Sequence, residues 1–366
     1  MLLKTMKQIL TLLAVCSTYA AFAQDKVNWH DVTKWGVEGR GWGDQERKKW
    51  FDRFPAKAEG KVTSSVWGLS RHSAGMMVRF KTDADAIHAK WKVTSSRLGM
   101  PHMPPSGVSG LDLYARDPKG KWRWAAATRP SKQEMQATLL SGIAPGMREY
   151  AVYLPLYNGT ESLAIGVPAG AKFKGLAPRK AKPLIFYGTS ITHGACASRP
   201  GMAHPAILGR RLDMPVINIG FSGNGKMHAA VGDLMAEVDA AAYIIDCLPN
   251  MNAAAVNARC EPLVKQLRKA RPHTPIVLVE DRRNPNSWLL PTRSKHHDAN
   301  HATLRKAYER LKAAGVKHLH YLGGDALLGE DGEGTTDGSH PNDLGFVRQA
   351  DAFEPVLRKA LGVKPE

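Results

Sequence analysis

The chain contains the stretch Leu184-Ile185-Phe186-Tyr187-Gly188-Thr189-Ser190, in which an apolar run ends in a glycine and two hydroxyl residues. A short apolar run bounded by turn residues is typical of a buried strand. Further runs of this kind follow at 216–219, 243–245, 276–279 and 319–322. Segments with helical spacing, such as 256–270 and 301–314, separate them. Strands that alternate with helices predict βαβ units, so the C-terminal half is expected to be an α/β domain with a parallel sheet.

The N-terminal half has a different pattern, because apolar and polar residues alternate between about residues 67 and 173. The segment Ile87-His88-Ala89-Lys90-Trp91-Lys92-Val93 shows this alternation most clearly. Strands are predicted at 76–80, 87–93, 111–115, 122–124, 150–154 and 163–167. Several short strands separated by turns predict an antiparallel sandwich or jelly roll. A basic, proline-containing linker is predicted at 175–182, which gives domains of 24–178 and 183–366.

The first 23 residues have the features of a secretory signal peptide. Lys4 and Lys7 precede an apolar stretch, and Ala21-Phe22-Ala23 forms a cleavage site with small residues. We therefore expect the protein to be exported to the periplasm or secreted. A lipoprotein anchored at Cys16 is less favoured, because the residue before this cysteine is larger than such a signal requires. The apolar stretch is too short to predict a transmembrane segment.

The composition of the chain excludes several classes of protein. With 43% hydrophobic and 23% charged residues over 366 positions, the chain is neither disordered nor fibrous. Its formal net charge of +18 favours an acidic partner or substrate. The charge is spread along the chain without a nucleic-acid motif, so no nucleic-acid partner is expected. No phosphate loop, dinucleotide fingerprint or zinc pattern is found, so neither a cofactor nor a metal is predicted.

Two groups of residues leave alternatives open. Cys196, Cys247 and Cys260 follow the signal peptide, and one disulfide among them is possible, although the sequence does not assign it. His297 and His301 stand four residues apart, which is a metal-ligand spacing on a helix. No glutamate stands between the two histidines, and the charged neighbours Lys295 and Asp298 make a solvated helix face the favoured interpretation of this pair.

Polar residues stand where several of the predicted strands end, and active sites of open α/β sheets form beyond those ends. Ser190 follows the first strand on a tight turn into a helix, Gly223 lies in the loop after the second, and Asn250 follows the third. Near the end of the chain, Asp337 precedes His340 by three residues. An aspartate so placed can accept a hydrogen bond from Nδ1, which leaves Nε2 free to take a serine proton.

These blocks resemble the four motif blocks of the SGNH (GDSL-like) hydrolase superfamily over about residues 183–362. Thr189 stands where the plain GDSL pattern has aspartate. Gly110-Leu111-Asp112-Leu113-Tyr114 resembles the Gly-x-Asp-Leu-Tyr motif that an exported bacterial branch carries in an N-terminal β domain. The resemblance implies a jelly-roll-like domain, followed by a flavodoxin-like, three-layer domain with esterase activity.

The leading hypothesis from the sequence is a serine esterase in which Ser190 is the nucleophile, His340 the general base and Asp337 its orienting partner. The backbone N–H groups of Ser190 and Gly223 and the side chain of Asn250 would form the oxyanion hole.

The expected substrate is an O-acetylated oligo- or polysaccharide, and the basic chain favours an acidic one. Arg199, His204 and Arg282 are predicted to contact it. Two alternatives remain open: a lipid or thioester acylhydrolase with the same triad, and a non-catalytic carbohydrate-binding protein. The oligomeric state, the sugar and the acyl length are not determined by the sequence.

Overall fold

Two antiparallel sheets and one parallel sheet form the structure, a computed structural model that describes residues 26–364. The predicted signal peptide, with Cys16, lies outside the described residues. Within residues 26–364, none of the helices combines the length and the apolar character that crossing a membrane requires.

The N-terminal half contains nine strands in two sheets that pack face to face. The strands are β1 (Val27–Asp31), β2 (Met77–Thr82), β3 (Ala86–Val93), β4 (Asp112–Arg116), β5 (Trp122–Ala127), β6 (Glu134–Ser141), β7 (Arg148–Tyr153), β8 (Thr160–Pro168) and β9 (Phe173–Leu176). One sheet has the order β1-β8-β3-β6 and the other β5-β4-β7-β2-β9. Residues of both sheets, such as Phe80, Trp91 and Ile165, meet in one core. The predicted β sandwich is therefore confirmed.

Three of these strands are missing from the sequence-based prediction, namely β1, β6 and β9. Strand β6 carries the weakly apolar sequence EMQATLLS at the edge of its sheet, and no residue in it is fully buried. Strand β9 pairs with β2, so that Gly175 and Leu176 belong to the sheet and not to the predicted linker. Edge strands bury less apolar surface than central ones, which explains why the alternation of residues predicts them poorly.

The C-terminal half contains a parallel sheet made of β10 (Leu184–Gly188), β11 (Val216–Gly220), β12 (Ala242–Asp246), β13 (Ile276–Val279) and β14 (Leu319–Leu322). The strand order is β11-β10-β12-β13-β14, and every neighbouring pair is parallel. This is the 2-1-3-4-5 order of flavodoxin-like sheets. The predicted fold class of the C-terminal half is thus confirmed.

Helices cover both faces of this sheet and complete three layers. The chain forms α1 (Ser64–Ser70), α2 (Pro105–Val108), α3 (Ser190–His193), α4 (His204–Arg211), α5 (Ala229–Glu237), α6 (Ala253–Ala270), α7 (Pro291–Ala313) and α8 (Asp343–Leu361). Helices α5, α6 and α7 pack on the face that includes Ile185 and Tyr187, and α4 and α8 on the face that includes Leu184 and Phe186. Helix α7 begins at Pro291, whereas the predicted helical segment begins at 301. The prediction missed the first turns because they are polar and lack an apolar stripe.

A segment of the N-terminal half also packs into the core of the α/β half. Trp42 and Trp67 lie in the same apolar cluster as the residues of α5, α6 and α7. The indole of Trp42 donates a hydrogen bond to the carbonyl oxygen of Leu234 in α5 (2.8 Å). The fully buried Arg53 donates to the carbonyl oxygen of Gly220 at the end of β11 (3.0 Å). The packing of this N-terminal segment therefore extends into the α/β half.

Candidate active site

Ser190 is the first residue of α3, and only Thr189 separates it from the end of β10. The side chain of Thr189 caps the helix by accepting a hydrogen bond from the backbone N–H of Ile191 (3.3 Å). As the first helical residue, Ser190 has a backbone N–H that the helix itself does not use. Its side chain lies at the carboxyl edge of the sheet, where open α/β folds form their sites.

Two further predicted residues, His340 and Asp337, lie in the loop that precedes α8, and His340 contacts the hydroxyl of Ser190. Nε2 of His340 lies 2.9 Å from Oγ of Ser190, and Nδ1 of His340 lies 2.7 Å from Oδ2 of Asp337. Oδ1 of Asp337 accepts hydrogen bonds from the backbone N–H groups of Ser339 (2.9 Å) and His340 (2.7 Å). These contacts assign the proton of the neutral imidazole to Nδ1, which leaves Nε2 free to accept the hydroxyl proton of Ser190.

The carboxyl group of Asp337 is held in its charged form. Partial burial opposes ionisation, but hydrogen bonds from the backbone N–H and the imidazole of His340 outweigh this effect and lower the pKa of Asp337 to about 2. The carboxylate is therefore charged at neutral pH and can stabilise a positive charge on His340.

Asn250 and Gly223 meet beside the turn that carries Ser190. The side-chain amide of Asn250 faces three backbone N–H groups. With its oxygen turned toward them, Oδ1 accepts hydrogen bonds from Gly223 (3.3 Å), Asn224 (3.1 Å) and Gly225 (3.2 Å). A Cβ at Gly225 would clash with the carbonyl oxygen of Gly188, so only glycine lets this loop lie against the end of β10. The contact between Gly223 and Asn250 is long, so it engages the Gly223 N–H only weakly.

The structure corrects the prediction for His204. This residue begins α4, and its fully buried ring packs against Phe186, Phe346 and Phe353. Burial lowers the pKa of His204 to about 3. A side chain without accessible surface cannot contact the substrate, so His204 is a neutral core residue in this structure.

The structure also places Arg199 in an internal contact and not in an open substrate site. Its Nη1 lies 2.8 Å from Oδ2 of Asp112 and 2.5 Å from the hydroxyl of Tyr114. Asp112 is fully buried, and it also accepts from the backbone N–H of Gly201 (2.8 Å) and the indole of Trp124 (3.0 Å). The Gly-x-Asp-Leu-Tyr motif therefore fixes the loop that follows α3.

Arg282 has a comparable supporting position. Its Nε donates to the carbonyl oxygen of Ser339 (2.9 Å) and its Nη2 to the hydroxyl of Ser339 (2.5 Å), while Nη1 pairs with Asp281. The side chain is almost fully buried. Arg282 thus holds the loop that carries His340, and its guanidinium is engaged by the protein itself.

Replacement of Asp112 is expected to destabilise the protein. The change Asp112→Ala would leave the guanidinium of Arg199 without its carboxylate, and removing one partner of a buried ion pair typically costs about 3–5 kcal/mol. Denaturant unfolding of the variant should show this loss in the free energy of unfolding. The control is Asp85→Ala, at an exposed carboxylate of the same half. Equal stability of the two variants would contradict the role assigned to Asp112.

The N-terminal half contributes further side chains that the sequence analysis missed. The hydroxyl of Tyr157 donates to the carbonyl oxygen of Ser190 (3.2 Å), and its ring stacks on His193 of α3 at 4.1 Å. The ring centroid of His102 lies 5.8 Å from that of His340. A single sequence carries no signal that would connect Tyr157 or His102 with the distant positions that they contact.

Among residues 26–364, Cys196, Cys247 and Cys260 carry free thiols, and no disulfide joins them. Cys196 lies beside the site, where potential ligand atoms of Cys196, Asp337 and His340 all fall within 4.8 Å of one another. Burial raises the pKa of Cys196 to about 11, so its thiol is protonated at neutral pH and is a poor metal ligand and nucleophile. The hydrogen bond between Asp337 and His340 also occupies atoms that a metal would require.

His297 and His301 lie on a buried side of α7 and not on a solvated face, which corrects the favoured interpretation of this pair. Nε2 of His297 lies 2.9 Å from Oδ1 of Asn284, and Nδ1 of His301 lies 3.4 Å from Oε2 of Glu280. Each ring has its own polar partner, so the two histidines connect α7 to the segment that follows β13.

The fold and this site define a hydrolase of the SGNH type, and the chain belongs to the GDSL-like lipase/acylhydrolase family. That family matches residues 181–358, and the N-terminal GxDLY domain of SGNH-hydrolase-type esterases matches residues 27–173. A protein described as a GDSL-like lipase from Bacteroides ovatus is 33% identical, with a TM-score of 0.87, over 93% of this chain and 99% of that chain. The predicted family resemblance is thus confirmed.

Two more distant solved structures share the fold of both halves. A salicylyl-acyltransferase from a tetracycline biosynthetic pathway is 20% identical, with a TM-score of 0.70, over 93% of this chain and 98% of that chain. An acetyl xylan esterase from Butyrivibrio proteoclasticus is 12% identical, with a TM-score of 0.54, over 92% of this chain and 99% of that chain. Among curated proteins, no match to the chain was found.

Proposed function

We propose that the protein is an exported serine esterase that hydrolyses O-acetyl esters of carbohydrates. The single observation that carries the proposal is the hydrogen-bonded chain from Ser190 Oγ through both ring nitrogens of His340 to Asp337, at 2.9 and 2.7 Å. Such a chain activates a serine hydroxyl for acyl transfer. No cofactor or metal is needed for this chemistry.

In the proposed reaction, Oγ of Ser190 attacks the ester carbonyl while Nε2 of His340 takes the hydroxyl proton. The negative oxygen of the tetrahedral intermediate is stabilised by the backbone N–H groups of Ser190 and Gly223 and by Nδ2 of Asn250. The ester C–O bond then breaks, and His340 returns the proton to the leaving alkoxide. A water molecule, deprotonated by His340, releases the acid and restores Ser190.

Two observations support carbohydrate acetyl esters as the substrate class. The acetyl xylan esterase from Butyrivibrio proteoclasticus shares both halves of the fold. The net charge of +18 would further favour an acidic polysaccharide. Export is proposed from the features of residues 1–23, and a substrate outside the cell is consistent with it.

A hydrolysis panel tests this function. Purified protein is assayed on nitrophenyl esters of short and long acids, on an acyl thioester and on acetylated xylan and acetylated glucose. We expect release of acetate from the carbohydrates and faster hydrolysis of acetyl esters than of long-chain esters. Preference for long acyl chains or thioesters would favour the lipid or thioester acylhydrolase, and binding of glycans without hydrolysis of any ester would favour the non-catalytic alternative.

The change Asn250→Ala is expected to lower kcat by roughly 10²- to 10³-fold with a smaller effect on KM, because an oxyanion donor acts mainly in the transition state. Steady-state kinetics on acetyl esters measure this split. Asn257→Ala, at an exposed amide on α6, is the control. An unchanged kcat with a raised KM would instead assign Asn250 to the binding of the ground-state substrate.

A further inference from the structure

A histidine of the N-terminal half stands next to the catalytic loop of the α/β half. The rings of His102 and His340 have centroids 5.8 Å apart with an angle of 33° between their planes. His102 is exposed, whereas His340 is partly buried. The imidazole of His102 therefore forms part of the open surface immediately beside the imidazole that contacts Ser190.

The turn that carries His102 is fixed on both sides. The backbone N–H of Met100 donates to the carbonyl oxygen of Met103 (2.9 Å), and the N–H of Met103 donates to that of Met100 (3.1 Å), so that Pro101 and His102 form a two-residue tip. The side chain of Met103 is buried in the α/β core with Ile191 of α3. The tip is thus anchored to the helix that begins at Ser190.

The next residues of the same segment attach it to the loop after α3. The hydroxyl of Ser106 donates to the carbonyl oxygen of Ser198 (2.7 Å). Gly107 packs so closely on Ala197 that a Cβ would clash with the carbonyl oxygen of Ala197. These contacts, together with the restricted backbone of Pro104 and Pro105, hold His102 at a defined place and reduce the conformational entropy lost when it binds a ligand.

The proposed reaction indicates which half of an ester faces His102. His340 must return a proton from Nε2 to the oxygen of the leaving alcohol, so the alcohol half lies on the side of His340. The acyl half lies toward Ser190, Gly223 and Asn250. A side chain adjacent to His340 therefore faces the alcohol, and an imidazole can both donate a hydrogen bond to a hydroxyl group and accept one from it.

We propose that His102 binds a hydroxyl group of the alcohol half of the substrate and so selects esters of polyhydroxylated alcohols, such as sugars. This proposal rests on the proposed function and extends it to the side chain that recognises the leaving group. The β half then supplies part of the substrate site, in addition to its contacts with the loop after α3.

The test compares two esters that share the acetyl group and differ in the alcohol: acetylated glucose, with free hydroxyls, and nitrophenyl acetate. In His102→Ala, the ratio of kcat/KM for acetylated glucose to kcat/KM for nitrophenyl acetate is expected to fall about tenfold, the usual effect of one lost hydrogen bond. The loss on acetylated glucose should appear mainly as a higher KM. His102→Gln, which can also donate and accept, should restore part of the ratio.

The control is His273→Ala, at an exposed histidine before β13 and thus at the opposite edge of the sheet, which should keep both rates. If His102→Ala keeps the wild-type ratio, the role of His102 is overturned while the esterase function stands. If the wild type hydrolyses nitrophenyl acetate but no acetylated glucose, the role of His102 and the carbohydrate substrate class are both overturned, and only the esterase activity stands. If the wild type hydrolyses neither ester, the proposed function itself fails, and the role of His102 with it.

Discussion

Ser190→Ala is expected to leave a folded protein whose kcat on acetyl esters is reduced by at least about 10³-fold, because the loss of a triad nucleophile removes the acyl-enzyme route. The hydroxyl of Ser190 contacts His340 at 2.9 Å, and its removal leaves no other group in that position. The side chain is small and lies at the edge of the sheet, so the variant should keep its thermal stability. Initial rates on nitrophenyl acetate measure the effect.

The matched control for this variant is Ser65→Ala, at an exposed serine in α1. Both proteins should have the same circular dichroism spectrum and melting temperature, so that a lost rate reports chemistry and not unfolding. Wild-type turnover by Ser190→Ala would exclude Ser190 as the nucleophile, and with it the proposed mechanism.

Asp337→Asn is expected to lower kcat by roughly 10³- to 10⁴-fold while the loop keeps its shape. The amide oxygen can still accept from the backbone N–H groups of Ser339 and His340, but an amide NH₂ in place of Oδ2 would favour the wrong tautomer of His340. An amide also cannot balance a positive charge on the imidazole. Because the pKa of Asp337 is lowered to about 2, the wild-type carboxylate stays charged above about pH 3, and the loss should extend over that whole range.

Asp331→Asn is the control for this experiment. Asp331 also has a pKa lowered to about 2, here by hydrogen bonding to Arg348, but it has no contact with His340. Its replacement should leave kcat close to the wild-type value. A loss of similar size in both variants would point to a general need for negative charge in this segment and would contradict the specific role of Asp337.

The alternation of apolar runs and the residues at the strand ends were sufficient to predict the α/β fold and to select Ser190, His340 and Asp337. In the structure, His340 contacts both of the other two residues. These features are local, since each block stands directly after a strand or within one loop. The predictions for Arg199 and His204 depended on side-chain direction, which proximity to a strand end does not determine. The ring of His204 points into the core, where it packs against phenylalanine rings. The guanidinium of Arg199 points toward Asp112, because the buried carboxylate there pairs with it.

The position of His102 could not be predicted for a similar reason. It depends on how the β half packs against the α/β half, and that packing is set by many weak contacts between distant segments. Pro104 and Pro105 restrict the backbone of this segment, but they do not determine where it packs. In the structure, Met103 is buried in the same apolar cluster as Ile191, and the tip of the turn lies next to His340.

The insertion of Trp42 and Trp67 into the core beside α5 has a consequence for how the chain folds. Trp42 is synthesised 192 positions before its partner Leu234, so this part of the core closes only after most of the polypeptide has been made. Contacts of such long sequence separation slow folding, and this one joins the N-terminal half to a helix that is made much later. The two halves should therefore gain structure as one cooperative unit. A fragment that begins at the linker would leave an apolar face of β11 and α5 uncovered and prone to aggregation.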